Sequence, residues 1–203
     1  METEKQFAYR ERDQRLFTQL SPNELQIVPF VPIVTGWILS DEFLSDMWVQ
    51  MLDEGLMQTV FWEGNVNSVD EFIVFCKRKH NILAFVFDDR ECVGFAWLGP
   101  MSGNYAFAHF CLFRSVWGEK TTEIGHLVLR YWFDFPGHAG PLIDVIIGMV
   151  PGFNTQAHKF VTRLGMTRLG AIPTLFKNKR GDVDEAVIFY ILRPNNGQTK
   201  HSG

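Results

Sequence analysis

Residues Pro151–Met166 read PGFNTQAHKFVTRLGM and follow directly on LIDVIIGMV, Leu142–Val150. The upstream stretch is apolar except for Asp144 and Gly148, a pattern that predicts a strand buried on both faces. Then the period changes. Ala157, Phe160, Val161 and Leu164 fall at i, i+3, i+4 and i+7, one stripe of a helix, and Gly165 supplies a left-handed stop. Asn154 stands where a side-chain oxygen caps the first free amides, and its amide can equally meet a ligand. A strand running straight into a helix N-terminus sets unpaired N–H groups and the positive end of a dipole at the sheet margin, which favours an anion.

The same arrangement recurs upstream. Phe113–Glu123, FRSVWGEKTTE, follows a strand candidate, Tyr105–Phe113, and precedes a helix marked by Ile124, Leu127, Val128 and Tyr131, which stops near Pro136 and Gly137. Gly118 permits a tight turn, and the amides from Gly118 through Glu119 and Lys120 to Thr121 and Thr122 would face a diphosphate, with Lys120 and the two threonine hydroxyls as further donors. A nucleotide-binding P-loop is excluded, because Arg114 stands where its leading glycine belongs.

Working toward the N-terminus, Ile82–Phe87, the turn DDRE and Cys92–Leu98 predict a hairpin whose second strand turns at Gly99–Asn104 into Tyr105–Phe113. Ser40 caps a helix carrying Phe43, Leu44, Met47, Trp48, Met51 and Leu52, and Ser68 with Glu71 forms a capping box for a second. Tyr9–Leu20 predicts a short polar helix, and Pro29 and Pro32 confine a strand at Leu25–Val34 to a sheet edge. Two strands near Met166–Ile172 and Glu185–Leu192 complete an α/β (α+β) order: a mixed sheet with helices on both faces. We read residues 1–193 as one domain and 194–203 as a disordered tail.

Composition narrows the function. Lys plus Arg number 19 against 23 Asp plus Glu, so the net charge of −4 gives no positive field for a nucleic acid. The charged N-terminus and the lack of a membrane-length apolar run predict a cytoplasmic protein without a membrane partner. Cys76, Cys92 and Cys111 lack metal or disulfide spacing and are read as buried thiols; no metal is expected. Aromatics are 14% of the chain, more than the core needs, which signals either a bulky core or an apolar groove.

Together, the strand LIDVIIGMV, the N-x-x-A of Asn154–Ala157, the L-G-M of Leu164–Met166 and the loop WGEKTTE resemble the GNAT superfamily of N-acetyltransferases over roughly Ile82–Arg193. The resemblance implies a mostly antiparallel central sheet of six to seven strands, splayed between its two central strands. It also implies acetyl-CoA as cofactor. The pantetheine arm would pair with backbone at Phe110, Cys111, Leu112 and Phe113, and the diphosphate would lie on Trp117–Thr122. Asn154, Ala157, His158 and Phe160 would form the far wall. An amine of a small molecule or protein is the implied acceptor, and a homodimer is compatible. His109 is the candidate base, because its titration range suits proton transfer, with Tyr105 and Tyr190 as further catalytic candidates. Three features depart from the family: Glu119 brings negative charge into the loop, the loop is a residue short, and Val161 stands where many members carry an acidic tyrosine. They keep a second reading open, a binding or assembly module on the same fold, phage-related in character. Asp144 is read either as a contact for the amine's charge or as a buried hydrogen-bonded carboxylate.

Overall fold

Antiparallel pairing dominates a seven-stranded sheet, three of whose antiparallel pairs are joined by short turns. The computed structural model describes residues 11–33, 36–137, 140–178 and 180–194, so the expected tail lies outside the described residues from position 195. The sheet strands are β1 (Leu25–Pro29), β2 (Ile82–Asp88), β3 (Glu91–Ser102), β4 (Tyr105–Leu112), β5 (Val145–Pro151), β6 (Thr167–Lys177) and β7 (Val183–Leu192). Their order across the sheet is β1-β2-β3-β4-β5-β7-β6. Every neighbouring pair is antiparallel except β4 with β5. As the prolines require, β1 is an edge strand.

Helices α1 (Glu11–Gln19), α2 (Asp41–Asp53) and α3 (Val69–Cys76) come before the β2/β3 hairpin. Helix α4 (Glu119–Phe133) connects β4 to β5, and α5 (Thr155–Arg163) connects β5 to β6. Among the described residues, no helix is long and apolar enough to cross a membrane.

Each face of the sheet has its own core. On one, Phe85 and Phe87 of β2 and Phe95 and Trp97 of β3 pack against Phe43 of α2 and Phe72 and Phe75 of α3. Some rings meet edge-on or tilted, as Phe43–Phe85 at 5.0 Å and 80° and Phe72–Phe95 at 5.6 Å and 56°, and others stack, as Phe95–Trp97 at 5.9 Å and 22°. On the other, Ala96 and Ala106 leave room for Ile124, Val128 and Trp132 of α4, while Val161 and Leu164 of α5 meet Ile146, Val187 and Phe189. Fully burying one large apolar side chain is worth about 1.5–3 kcal/mol, so these two layers dominate the stability. Much of the aromatic surplus is therefore core.

The expectation for β5 needs correction. Its side chains alternate between buried and half-buried rather than being enclosed on both sides, because one face borders a cavity. Asp144 is hydrogen-bonded as one reading had it, but it is exposed and not buried, and it is not among the residues lining the cavity. It lies exposed just before β5, where it accepts from Asn104 Nδ2 at 3.0 Å and pairs with Arg193 Nε at 3.1 Å.

Ser40 caps α2 as expected, its Oγ accepting from the Phe43 N–H at 3.1 Å. The same hydroxyl donates to the fully buried Asp13 of α1, whose carboxylate also accepts the Ser40 N–H at 3.1 Å. One side chain thus joins two helices. Ser40→Ala should cost about 1–3 kcal/mol through the lost cap and the lost partner of a buried carboxylate. Thermal unfolding checks this, each kcal/mol lowering Tm by about 2–4 °C, and Ser40→Thr should retain most of the stability.

Candidate active site

β4 and β5 pair at only three positions, Tyr105↔Val145, Ala106↔Ile146 and Phe107↔Ile147. Beyond these, each strand follows its outer neighbour. β4 stays on β3 through Gly94↔Leu112, and β5 stays on β7 through Ala186↔Pro151, so the two part toward their carboxyl ends. A cavity of about 410 Å³ occupies the resulting wedge. Phe107, Ala108, His109 and Phe110 line one arm, and Gly148, Met149, Val150 and Pro151 line the other.

The wedge exposes backbone. The Phe113 N–H donates to Val93 O of β3 at 2.9 Å, and alternate residues of a strand direct their backbone groups to opposite sides. Residues 112, 110 and 108 therefore turn theirs toward the gap. The Leu112 carbonyl is closed by the Trp117 indole N–H at 2.9 Å, which leaves Phe110 and Ala108 as the strand edge. Cys111 and Phe113 turn their backbone groups to β3, so the open strand edge lies at residues 108 and 110. Cys111 faces the core, where burial above all raises its thiol well above its ordinary value; burial likewise pushes Cys92 up to about 12.

His109 follows two residues after the last pairing of β4, at the apex of the wedge. Its ring stacks on Trp97 at 4.6 Å and 6°. Its Nε2 lies 3.1 Å from the Gly99 carbonyl, where β3 shifts register opposite β4. A carbonyl only accepts, so Nε2 carries the proton and Nδ1 keeps the lone pair in neutral imidazole. Burial holds the histidine below its ordinary pKa, and the Gly99 hydrogen bond opposes that in part. The imidazole is therefore neutral at neutral pH.

Helix α5 borders the cavity on the other side. Asn154 begins α5 with its Oδ1 accepting the Ala157 N–H at 3.0 Å, and Asn154, Ala157 and Phe160 all line the cavity. Phe160 meets Phe110 edge-on at 5.1 Å across the gap. His158 does not join them. It lies against Phe189, its Nε2 3.1 Å from the Pro151 carbonyl. Tyr105 and Tyr190 are also outside the lining: Tyr105 pairs with Val145 at the closed end, and Tyr190 pairs with Ile147 on β7. Val161, in the tyrosine's place, is buried and lines the cavity.

The loop at the wide end has its own internal order. Gly118 caps α4 with φ 124°, a backbone region that glycine favours, and its N–H donates to Thr121 Oγ1 at 3.1 Å. Thr121 donates in turn to the Val116 carbonyl at 2.8 Å. The Arg114 guanidinium lies 4.9 Å over the Trp117 ring, and its Nε donates to the Glu54 carbonyl at 3.0 Å. Lys120 is turned to Asp88 at the end of β2, not to the loop, contrary to expectation. The first-turn amides at Glu119 to Thr122 have no carbonyl one turn back within the helix, which suits an anion there.

The sequence reading missed the opposite wall. Phe61, Trp62, Glu63 and Asn65, between α2 and α3, and Phe176 of β6 line the cavity. The available signal was FWEGNVN, Phe61–Asn67, two adjacent aromatics beside turn residues with neither helical nor strand period.

No protein-family model matches the chain, and no curated protein matches it in sequence. Solved structures do. The microcin C7 self-immunity acetyltransferase MccE, in complex with acetyl-CoA and AMP, superposes with a TM-score of 0.64 at 12% identity, covering 83% of this chain and 93% of that one. Spermidine N-acetyltransferase from Vibrio cholerae, in complex with CoA and spermine, gives 0.65 at 16% identity over 83% and 95%. An acetyltransferase from Salmonella typhimurium that modifies the N-terminal serine of ribosomal protein L7/L12 gives 0.64 at 13% over 84% and 95%. The chain has the GNAT fold.

The environment of His109 sets a pH signature. Its folded pKa lies below the unfolded value of about 6.5, so below that pH the unfolded chain binds a proton that the folded one resists. Stability is therefore lost at this site as pH falls through about 6.5. Urea unfolding of wild type and His109→Gln between about pH 7.5 and 5.5 should show the wild type losing more; parallel curves would refute this.

Proposed function

We propose that the chain is an acetyl-CoA-dependent N-acetyltransferase acting by direct attack of an amine within a ternary complex. The observation that carries this reading is the wedge between β4 and β5, open into a cavity with a neutral histidine at its apex. An extended amide-bearing arm completes a sheet at an exposed strand edge, and the backbone of Ala108 and Phe110 offers that edge. Small residues, Gly148 and Ala157, leave room on the other side. The amides at the start of α4 stand where a diphosphate would lie, because α4 follows the carboxyl end of β4.

Acetyl-CoA supplies a thioester carbonyl. The acceptor nitrogen forms the new C–N bond, the C–S bond breaks, and the sulfur leaves with the electron pair and takes up a proton. A primary ammonium of pKa about 10.4 must first lose a proton, and we assign its receipt, and its passage to water, to the Nδ1 lone pair of His109, which lines the cavity. Among the described residues lining the cavity there is no tyrosine, so we assign protonation of the sulfur to solvent. Trp97 and the Gly99 carbonyl hold the imidazole in ring plane and tautomer.

Binding and turnover test this reading separately. Acetyl-CoA or CoA at about a hundred times its dissociation constant should stabilise the native state by roughly 2.7 kcal/mol in thermal unfolding. No stabilisation at millimolar ligand favours the binding-module reading. Ala157→Trp, which fills the far wall, should remove the effect. For turnover, His109→Ala should lower kcat by about 10²-fold or more and abolish the acidic limb of the kcat/KM profile. That limb should lie below about pH 6.5, since burial lowers the histidine. An unchanged profile would exclude His109 as the base.

A further inference from the structure

Resting on the acetyltransferase reading, we propose that the acceptor is a monoamine whose amino group is carried on an aromatic or bulky apolar body. The wall opposite α5 supports this. Phe61, Trp62, Phe75, Trp97, Phe107 and Phe176 surround the space in front of His109. Their ring contacts fall into two groups, Phe61, Phe75 and Trp97 in one and Trp62 with Phe176 in the other. Phe61 stacks on Trp97 at 6.0 Å and 17°, Phe75 meets Trp97 edge-on at 5.1 Å, and Trp62 meets Phe176 edge-on at 6.1 Å. Trp62 and Phe176 are half-buried, and they join the α2–α3 connection to β6 across the cavity.

Charge selects further. Among the described residues lining the cavity, Glu63 is the one carboxylate, and no lysine or arginine lines it. An ammonium is therefore attracted once, by Glu63 and by the negative faces of the rings, before His109 takes its proton. A second or third ammonium would be desolvated against aromatic carbon with no acid of its own, which excludes polyamines. A substrate carboxylate would meet no cation and would be repelled by Glu63, which excludes amino-acid-like acceptors. What fits is one amine and one apolar body, the body being held by ring contact.

The test uses the purified protein with acetyl-CoA and follows thiol release. The amines are 2-phenylethylamine and tryptamine, against spermidine and glutamate. We expect kcat/KM for the two aromatic monoamines to exceed that for spermidine and glutamate by about tenfold or more. Trp62→Ala should raise KM for 2-phenylethylamine by about tenfold with a smaller change in kcat, while Trp62→Phe keeps most of the affinity. Glu63→Gln should raise KM for each amine. Spermidine or glutamate turning over as well as 2-phenylethylamine would overturn this inference and leave the acetyltransferase reading standing. So would stabilisation by CoA with no thiol release from either aromatic amine. If CoA fails to stabilise the protein and no amine releases thiol, the acetyltransferase reading itself falls.

Discussion

Three backbone pairings, from Tyr105↔Val145 to Phe107↔Ile147, hold the two central strands together, and everything at the site depends on their ending there. Parallel neighbours cannot be joined by a tight turn; they need a crossover, which here is α4. Since the strands diverge toward their carboxyl ends, the crossover must begin at the open mouth, and with it the free amides of Gly118 and its followers. The return through α5 likewise begins at the mouth, from Asn154. One interrupted ladder therefore sets the gap, its exposed amides and two helix N-termini at the same margin of the sheet.

Much of this was legible in sequence because it is local. The stripe of Ala157, Phe160, Val161 and Leu164 fixes the inner face of α5, the serine caps fix two helix starts, and the prolines near Pro29 fix an edge. The resemblance at Asn154–Ala157 and Leu164–Met166 pointed to the sheet and its splay. What stayed hidden is set by contacts between distant segments. No spacing signals that Trp62 meets Phe176, or that Asp88 engages Lys120 from across a turn. Asp144 misled for a related reason: an apolar run does not mark the first residue of a strand, and the carboxylate falls one position outside it.

One run of the core's rings reaches the cavity. From Phe72 the rings run through Phe95 and Trp97 to His109, so the packing that stabilises the helical face also fixes the plane of the imidazole. Native interiors are close-packed, so a change of volume at Phe95 would reach the histidine without touching the cavity. Stability and the orientation of the imidazole are coupled through the same carbon. At the mouth the coupling is looser. The Lys120–Asp88 pair is largely exposed on the lysine side, and such pairs are worth about 0–1 kcal/mol, so a phosphate can compete for that lysine at small cost.

The α2–α3 connection supplies the aromatic and acidic side chains of one wall, yet it is no part of the sheet, the wedge or the two helix N-termini. Cavity shape can therefore change along Phe61–Asn67 while the wedge and the two helix N-termini stay fixed. The segment behaves as an exchangeable cassette. By grafting, one wall of the cavity can be rewritten in a handful of codons that leave the strands untouched.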